Sequence, residues 1–292
     1  MSLESKSFDD VVAIDCHVHI ELGPGGEDHL SPELRQAAMR YFKGEASLPT
    51  ADDIASHYRQ RNMMAVVFAV DSGLTTGQAR IPNSFVIEKA REHADVMIPF
   101  ASIDPRRGSD GVAEAKELLG EGSVRGFKFH PNIQQFHAND PIAYPLYELI
   151  EEAGLVALFH TGHSGIGSGL PGGGGIALKY GNPMAIDDVA VDFPSLSIVM
   201  AHPAFPWQDE ALSIAMHKPQ VAIDLSGWTP KRFPSSLVRA MSTTLKDQTL
   251  FGSDFPLISP DRWLEDFADL DLGPDVQSAI LKDNAMRVLG LG

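Results

Sequence analysis

The chain alternates short, almost unbroken apolar runs with stretches whose apolar positions recur at helical spacing. The first run, residues 11–14, leads straight into Asp15-Cys16-His17-Val18-His19. Seven more runs follow at 64–70, 96–103, 124–129, 155–159, 196–201, 220–225 and 249–252. Each is too short for an ordinary helix and rich in apolar or β-branched residues, so each predicts a strand buried on both faces. Between them the spacing predicts helices at 34–41, 51–62, 83–93, 111–119, 145–152, 185–192, 209–217 and 236–245. Two further helical stretches, 263–270 and 274–289, close the chain. Segment 51–62 carries Asp52 and Asp53 early and Arg59 and Arg61 late, so its charges complement the helix dipole at both ends. Buried strands alternating with helices predict a parallel sheet with its outer face covered. Eight such units in 292 residues favour a closed (β/α)8 TIM barrel over an open doubly wound sheet. No G-x-G-x-x-G follows the first strand, which weakens a dinucleotide-binding reading. Composition does not break along the chain, so residues 1–292 are expected to form a single domain. A long insertion at about 21–50 follows the first strand, and a connection of that length usually serves function.

Composition narrows the classes. Hydrophobic residues make up 43% of the chain, enough for a large core. The net charge of −16 argues against nucleic acid and anionic membrane surfaces, both of which need a basic footprint. It leaves an anionic small-molecule substrate open, since a site can be locally positive. Cys16 is the one cysteine, so no intramolecular disulfide can form. There is no eighteen-residue apolar run, and residues 1–10 are polar with no signal-peptide core. A cytoplasmic protein is the expectation.

In a barrel of this kind the chemistry sits at the C-terminal ends of the strands. The first predicted strand leads into His17 and His19, which strand alternation puts on one face, with Cys16 and Val18 on the other. The fourth leads into Lys128 and His130, the fifth into His160 and His163, and the sixth into His202. Asp224-Leu225-Ser226-Gly227 ends the seventh, and Gly252-Ser253-Asp254 the eighth. Six of the 11 histidines thus fall at strand ends. Singly, each has an ordinary structural use: a strand-end hydrogen bond for a histidine, a helix cap for Asp254, an ion pair for Lys128. Together on one rim, histidines and an aspartate point to a catalytic metal site that keeps a position open. The Gly-rich stretch 164–175 reads as a rim loop or lid, without the Gly-Lys-Ser/Thr ending of a phosphate-binding loop. Trp207 and Trp228 either wall an aromatic or extended substrate or pack loops together. Arg59, Arg61, Lys231 and Arg232 either hold a substrate anion or are solvated.

Six motifs occur in order: DCHVH at 15–19, GFKFHP at 126–131, LFHTG at 158–162, MAHPAFPW at 200–207, GSDFP at 252–256 and DNAMRVLGL at 283–291. With them the chain resembles the amidohydrolase superfamily, and within it the amidohydrolase 2 group that includes aminocarboxymuconate semialdehyde decarboxylase. The resemblance implies a (β/α)8 barrel and a divalent metal, usually zinc and sometimes manganese. His17, His19, His160 and Asp254 match the ligand positions. His202 matches a histidine that sits beside the metal-bound water in decarboxylases of the group and binds a second metal in other amidohydrolases. Lys128 lies near the position of a carboxylated, metal-bridging lysine, which mononuclear relatives also carry without that role. One ion is favoured, with Lys128 paired to substrate or to Asp254.

The resemblance leaves two reactions open, both associated with breakdown of aromatic and dicarbonyl acids. One is hydrolysis of a small carbonyl-containing acid or its thioester, at an amide, a lactone or a β-dicarbonyl carbon–carbon bond. A metal-activated water would attack, with Asp254 as general base and His202 assisting. The other is non-oxidative decarboxylation of an aromatic or muconate-type acid. Hydrolysis is favoured on two grounds: no strand end carries an arginine for a carboxylate, the nearest being Arg59 and Arg61, and the Gly-rich loop suits an open groove. Candidate substrate contacts are Lys128, His130, His163, Trp207, Trp228 and Arg59. A non-catalytic metal-binding scaffold is the reading outside enzymes, and the presence of Asp254 and His202 argues against it. A homo-oligomer such as a dimer is compatible with the sequence.

Overall fold

The computed structural model describes residues 8–43 and 48–291. Residues 1–7 of the polar N-terminal stretch and 44–47 of the insertion lie outside the described residues. Eight strands form one sheet: β1 Ala13–His19, β2 Met63–Phe68, β3 Met97–Ser102, β4 Gly126–Phe129, β5 Val156–His160, β6 Ser197–Ala201, β7 Val221–Asp224 and β8 Thr249–Leu250. They pair in chain order and all in parallel. Almost every strand residue is buried, as the continuous apolar runs require. Helices alternate with the strands, so the fold is the expected (β/α)8 TIM barrel.

β8 is only two residues long, and the chain beyond it closes the circle. Cys16 donates its N–H to the Phe251 carbonyl at 2.9 Å, Asp254 to the His17 carbonyl at 3.0 Å, and His19 to the Phe255 carbonyl at 2.8 Å. Asp15 fastens this seam from inside the wall. Its Oδ1 accepts from the Ser253 N–H at 2.9 Å and the His17 N–H at 3.1 Å. Its Oδ2 accepts from the Ser253 hydroxyl and from Tyr58 Oη at 2.6 Å. Burial raises the Asp15 carboxyl to about 6, against the pull of those four donors.

The expected alternation in β1 fails at one place. The register against β2 shifts between Asp15 and Val18. Cys16 packs with Ile14, Met64, Val66 and Phe68 in the cluster that fills the barrel interior, while Val18 joins the outer layer under the helices. His17 and His19 still converge: their ring centroids lie 5.2 Å apart, and each stands about as far from the Phe68 ring, at 5.1 and 4.8 Å. A bulge has turned Cys16 inward without dispersing the two imidazoles.

Helix limits follow local chemistry. Helix Ala51–Arg59 opens with a capping box between Thr50 and Asp53. It stops short of the expected residue 62 because Asn62 adopts a left-handed φ of 52° and turns the chain into β2. The last expected helix, 274–289, is helical throughout but carries a wider π turn over Ala279–Asp283. The insertion after β1 holds helix Pro32–Phe42, with Ser31 as its cap. Among the described residues, no helix is long and apolar enough to cross a membrane.

Tyr58→Phe removes one donor from a buried carboxylate at the seam. It should cost about 1.5–3 kcal/mol, the range for hydrogen bonds to charged groups. Urea unfolding should show a lower midpoint, and an unchanged midpoint would mean that Asp15 is held by its other donors alone.

Candidate metal centre

The strand ends deliver their side chains to one point. β1 supplies His17 and His19, β4 supplies Lys128 with His130 just beyond it, and β5 ends on His160. His202 follows β6 and Asp254 follows β8, both at left-handed φ, 72° and 73°. Non-glycine residues rarely sit there, and such strain concentrates at functional sites. The neighbouring loops leave room for them. A Cβ on Gly227 would lie 2.6 Å from His202 Nδ1, and one on Gly252 would come within 3.1 Å of both Asp224 Oδ1 and His17 Cβ.

Asp254 Oδ1 lies 3.1 Å from His19 Nε2 and 3.4 Å from His17 Nε2. Ligand atoms of His17, His202 and Asp254 all fall within 4.8 Å of one another. His202 Nε2 is 3.0 Å from His160 Nδ1, which joins the fourth histidine to the group. Burial, the largest influence on each, pushes His17, His130 and His160 well below the usual imidazole range and lowers His202 as well. Neutral imidazole is the form that ligates. Burial opposes ionisation of Asp254, but the His19 hydrogen bond and the neighbouring imidazoles of His17, His202 and His19 outweigh it and hold the carboxyl well below its ordinary value.

The donor set fits a divalent ion. His160 Nε2 is buried and has no hydrogen-bond partner among the described residues. A buried nitrogen left so is costly unless something else meets it. His17 Nδ1 bonds Asp224 Oδ2 at 2.9 Å, which leaves Nε2 with the lone pair facing inward. Ser226 Oγ bridges beneath, 3.0 Å from His17 Nδ1 and 2.8 Å from His202 Nδ1. Lys128 is fully buried, with Nζ 3.1 Å from His17 Nε2 rather than paired with Asp254. Burial lowers its ammonium to about 8, although Asp224 and Asp254 favour the charge.

A cleft opens from this centre past His130 and Phe42 to Ile166, with Glu21 and Arg35 in its wall. His130 stacks on His160, with centroids 3.9 Å apart and planes 9° apart, and its Nδ1 is also buried without a partner. The remaining candidates stand off. His163 is half-buried on the rim, 5.5 Å from the Tyr41 ring and 6.3 Å from that of Phe205. Trp228 lies 5.7 Å from Phe205, and Trp207 is half-buried at the start of helix Gln208–His217; neither lines the cleft. Arg59 is at the wrong end of the barrel for a substrate contact. Its helix runs back against the strands, so its last residue meets Asp95, just before β3, with Nη2 2.7 Å from Oδ1. Arg61 is likewise taken by Asp261 at 2.6 Å.

Two expectations about the cleft need correction. Its nearest arginine is neither Arg59 nor Arg61 but Arg35, from the insertion helix. The Gly-rich loop is folded down rather than leaving an open groove: Ile166, Leu170 and Ile176 pack on Leu30, Leu34 and Ile133.

The family model described as Amidohydrolase, of the amidohydrolase 2 group, matches residues 14–291. The chain belongs to this amidohydrolase family. No curated protein matches it. Among solved structures, an uncharacterized TIM-barrel protein of Bordetella bronchiseptica is 23% identical, with 96% of this chain and 98% of that one covered and a TM-score of 0.78. A probable 2-pyrone-4,6-dicarboxylic acid hydrolase of Acinetobacter baumannii is 15% identical over 96% and 100% of the two chains, with a TM-score of 0.62. A dihydroxybenzoic acid decarboxylase of Polaromonas, solved with bound manganese and an inhibitor, is 14% identical over 96% and 97%, with a TM-score of 0.61. At such identities these likenesses speak for the fold.

Four residues of this amidohydrolase's centre carry no role in the sequence reading: Asp224, Ser226, Glu21 and Arg35. Asp224 and Ser226 stood at a strand end, which was the available signal. Glu21 and Arg35 sit in an insertion whose helix the spacing marks but whose placement against the strand ends it does not fix.

Metal analysis of purified protein, after reconstitution with zinc or manganese, should find close to one ion per chain. Well under half an equivalent would count against the centre, and close to two would give Lys128 a bridging role.

Proposed function

We propose that this centre holds one divalent ion, zinc before manganese, and that the chain is a metal-dependent hydrolase of a small carbonyl-containing organic acid or its thioester. The observation that carries the metal reading is the convergence of His17, His202 and Asp254, whose ligand atoms lie within 4.8 Å of one another, with His19 against Asp254, His160 against His202, and His160 Nε2 buried with no partner among the described residues. Three imidazoles and one carboxylate suit zinc. Manganese is the second choice, since the Polaromonas relative holds it.

When bound, the ion would lower the pKa of a coordinated water and polarise a substrate oxygen. The protein's own groups do the rest. Asp254, kept anionic by the surrounding histidines, accepts the proton of the attacking water. His202, backed by Ser226, holds the oxygen on which negative charge develops. Lys128 and His130 Nδ1, both in the lining of the cleft, orient the substrate's oxygens. We place this work in the cytoplasm, a reading compatible with a chain whose one cysteine is buried and outside any disulfide.

Hydrolysis is favoured over loss of CO2 by the charge of the wall. Arg35 is engaged by both Glu21 and Asp28, so it offers no free guanidinium to a substrate carboxylate. Glu21 adds an anion: although burial opposes its ionisation, Arg35, His29 and His19 bring its carboxyl down to about 2. Among the described residues, the insertion side of the cleft thus has no free cation for a carboxylate, which leaves Lys128 as the cation that faces the substrate. Non-oxidative decarboxylation of an aromatic acid is the second reading, favoured by the loop folded over the cleft and by the name of the Polaromonas relative.

Turnover in ¹⁸O-labelled water, against aromatic acids, lactones and β-ketoacyl thioesters, separates the two. Label in a product carboxylate is the expected result; CO2 release from a benzoate or muconate without label makes the second reading correct. Asp254→Asn should lower kcat about a hundredfold or more with little change in melting temperature. Retention of more than about a tenth of kcat would remove Asp254 from proton transfer.

A further inference from the structure

His17 and His19 are oriented alike, His17 by a hydrogen bond to its carboxylate and His19 at ion-pair distance from its own. Each presents Nε2 to Asp254 Oδ1, and each turns Nδ1 toward a carboxylate. For His17 that carboxylate is Asp224, at 2.9 Å. For His19 it is Glu21, whose Oε1 lies 3.4 Å from Nδ1. A histidine that ligates through one nitrogen needs an acceptor for the N–H on the other, and the partner fixes both tautomer and ring angle. Glu21 comes two residues after His19, at the first step of the insertion. It is 5% exposed, too buried for a solvated carboxylate.

Glu21 does not end the chain of contacts. Its Oε2 takes the Arg35 guanidinium and stands 3.5 Å from His29 Nδ1. Arg35 in turn holds Asp28, with Nε 2.6 Å from Oδ2 and Nη2 2.7 Å from Oδ1. Arg35 lies in the first turns of helix Pro32–Phe42. Leu34, beside it, packs with Ile133 and Ile176 under the Gly-rich loop. Charged and apolar contacts therefore run without a gap from His19 to the helix and loop that cover the cleft.

We infer that Glu21 is a positioning residue for His19 and that, through Arg35, it couples occupancy of the metal centre to the order of helix Pro32–Phe42. The inference rests on the reading of His19 as a ligand. A carboxylate that only anchored Arg35 would need no approach to His19, whereas Glu21 divides its two oxygens between the two. Coupling of this kind is reciprocal: what binds at the centre steadies the helix, and what loosens the helix weakens binding.

The test measures zinc dissociation constants by competition with a chromophoric chelator. Glu21→Gln should weaken zinc binding about ten- to a hundredfold, as Asp224→Asn should on the other histidine. The melting temperature of the metal-free variant separates positioning from anchoring. A lower melting temperature with wild-type zinc affinity would overturn the inference and leave Glu21 as an anchor for Arg35. Hydrogen exchange on the wild-type protein needs no variant. Saturating zinc should slow exchange in residues 32–42 and leave residues 109–120, across the barrel wall, unchanged; equal rates at 32–42 with and without zinc would overturn the coupling. A wild-type protein that binds neither zinc nor manganese would remove the metal reading and this inference together. Equal zinc binding by wild type and Glu21→Gln removes the inference alone.

Discussion

The barrel depends on a seam that the shortest strand cannot close by itself. β8 contributes two residues to the sheet, so the circle is completed by backbone bonds from β1 to the stretch 251–255. That stretch contains Asp254, the carboxylate that faces the metal centre, and its partner strand carries His17 and His19. Closing the barrel and assembling the site are thus one event. Asp15, buried between them, is why the seam holds: it takes two donors from Ser253, one from Tyr58 and one from the backbone of His17. A buried carboxylate with that many donors is far less costly than one left with fewer.

Much of this was legible in the sequence. All eight strands were marked by their apolar runs, because a strand covered on both faces leaves no alternation to misread. The six motifs gave the strand-end residues, since a parallel barrel brings only one end of each strand to the site. The bulge in β1 was not legible. Period-two alternation is a rule for regular strands, and nothing in Asp15-Cys16-His17 announces an extra residue facing inward. Arg59 was misjudged for a reason the fold supplies: a helix that follows its strand returns to the opposite end, so a residue in its last turn leaves the site.

The insertion was the least readable part. Its helix at 34–41 was marked by apolar spacing, but its role in the cleft rests on long-range pairing of Glu21, Asp28, His29 and Arg35, which composition does not encode. The Gly-rich segment misled in a different way. Its glycines suggested openness, yet Ile166, Leu170 and Ile176 are spaced among them, and those apolar side chains fold the segment onto the insertion helix. Glycine there permits the turns, three of them in succession at φ near 60° from Gly172 to Gly174, while the apolar residues decide where the loop lies.

The left-handed backbone at His202 and Asp254 has a consequence for which sequences this barrel can accept. Asparagine, aspartate and histidine visit that region more readily than other side chains, and branched ones scarcely at all. The main chain thus filters replacements at both positions before any question of proton affinity or ligand strength arises. Valine or isoleucine at either would push the chain after β6 or β8 out of line. Asparagine at 254 would keep the path and alter only the charge. The backbone thus favours short polar side chains, histidine and glycine at both positions, a narrower alphabet than chemistry alone would impose.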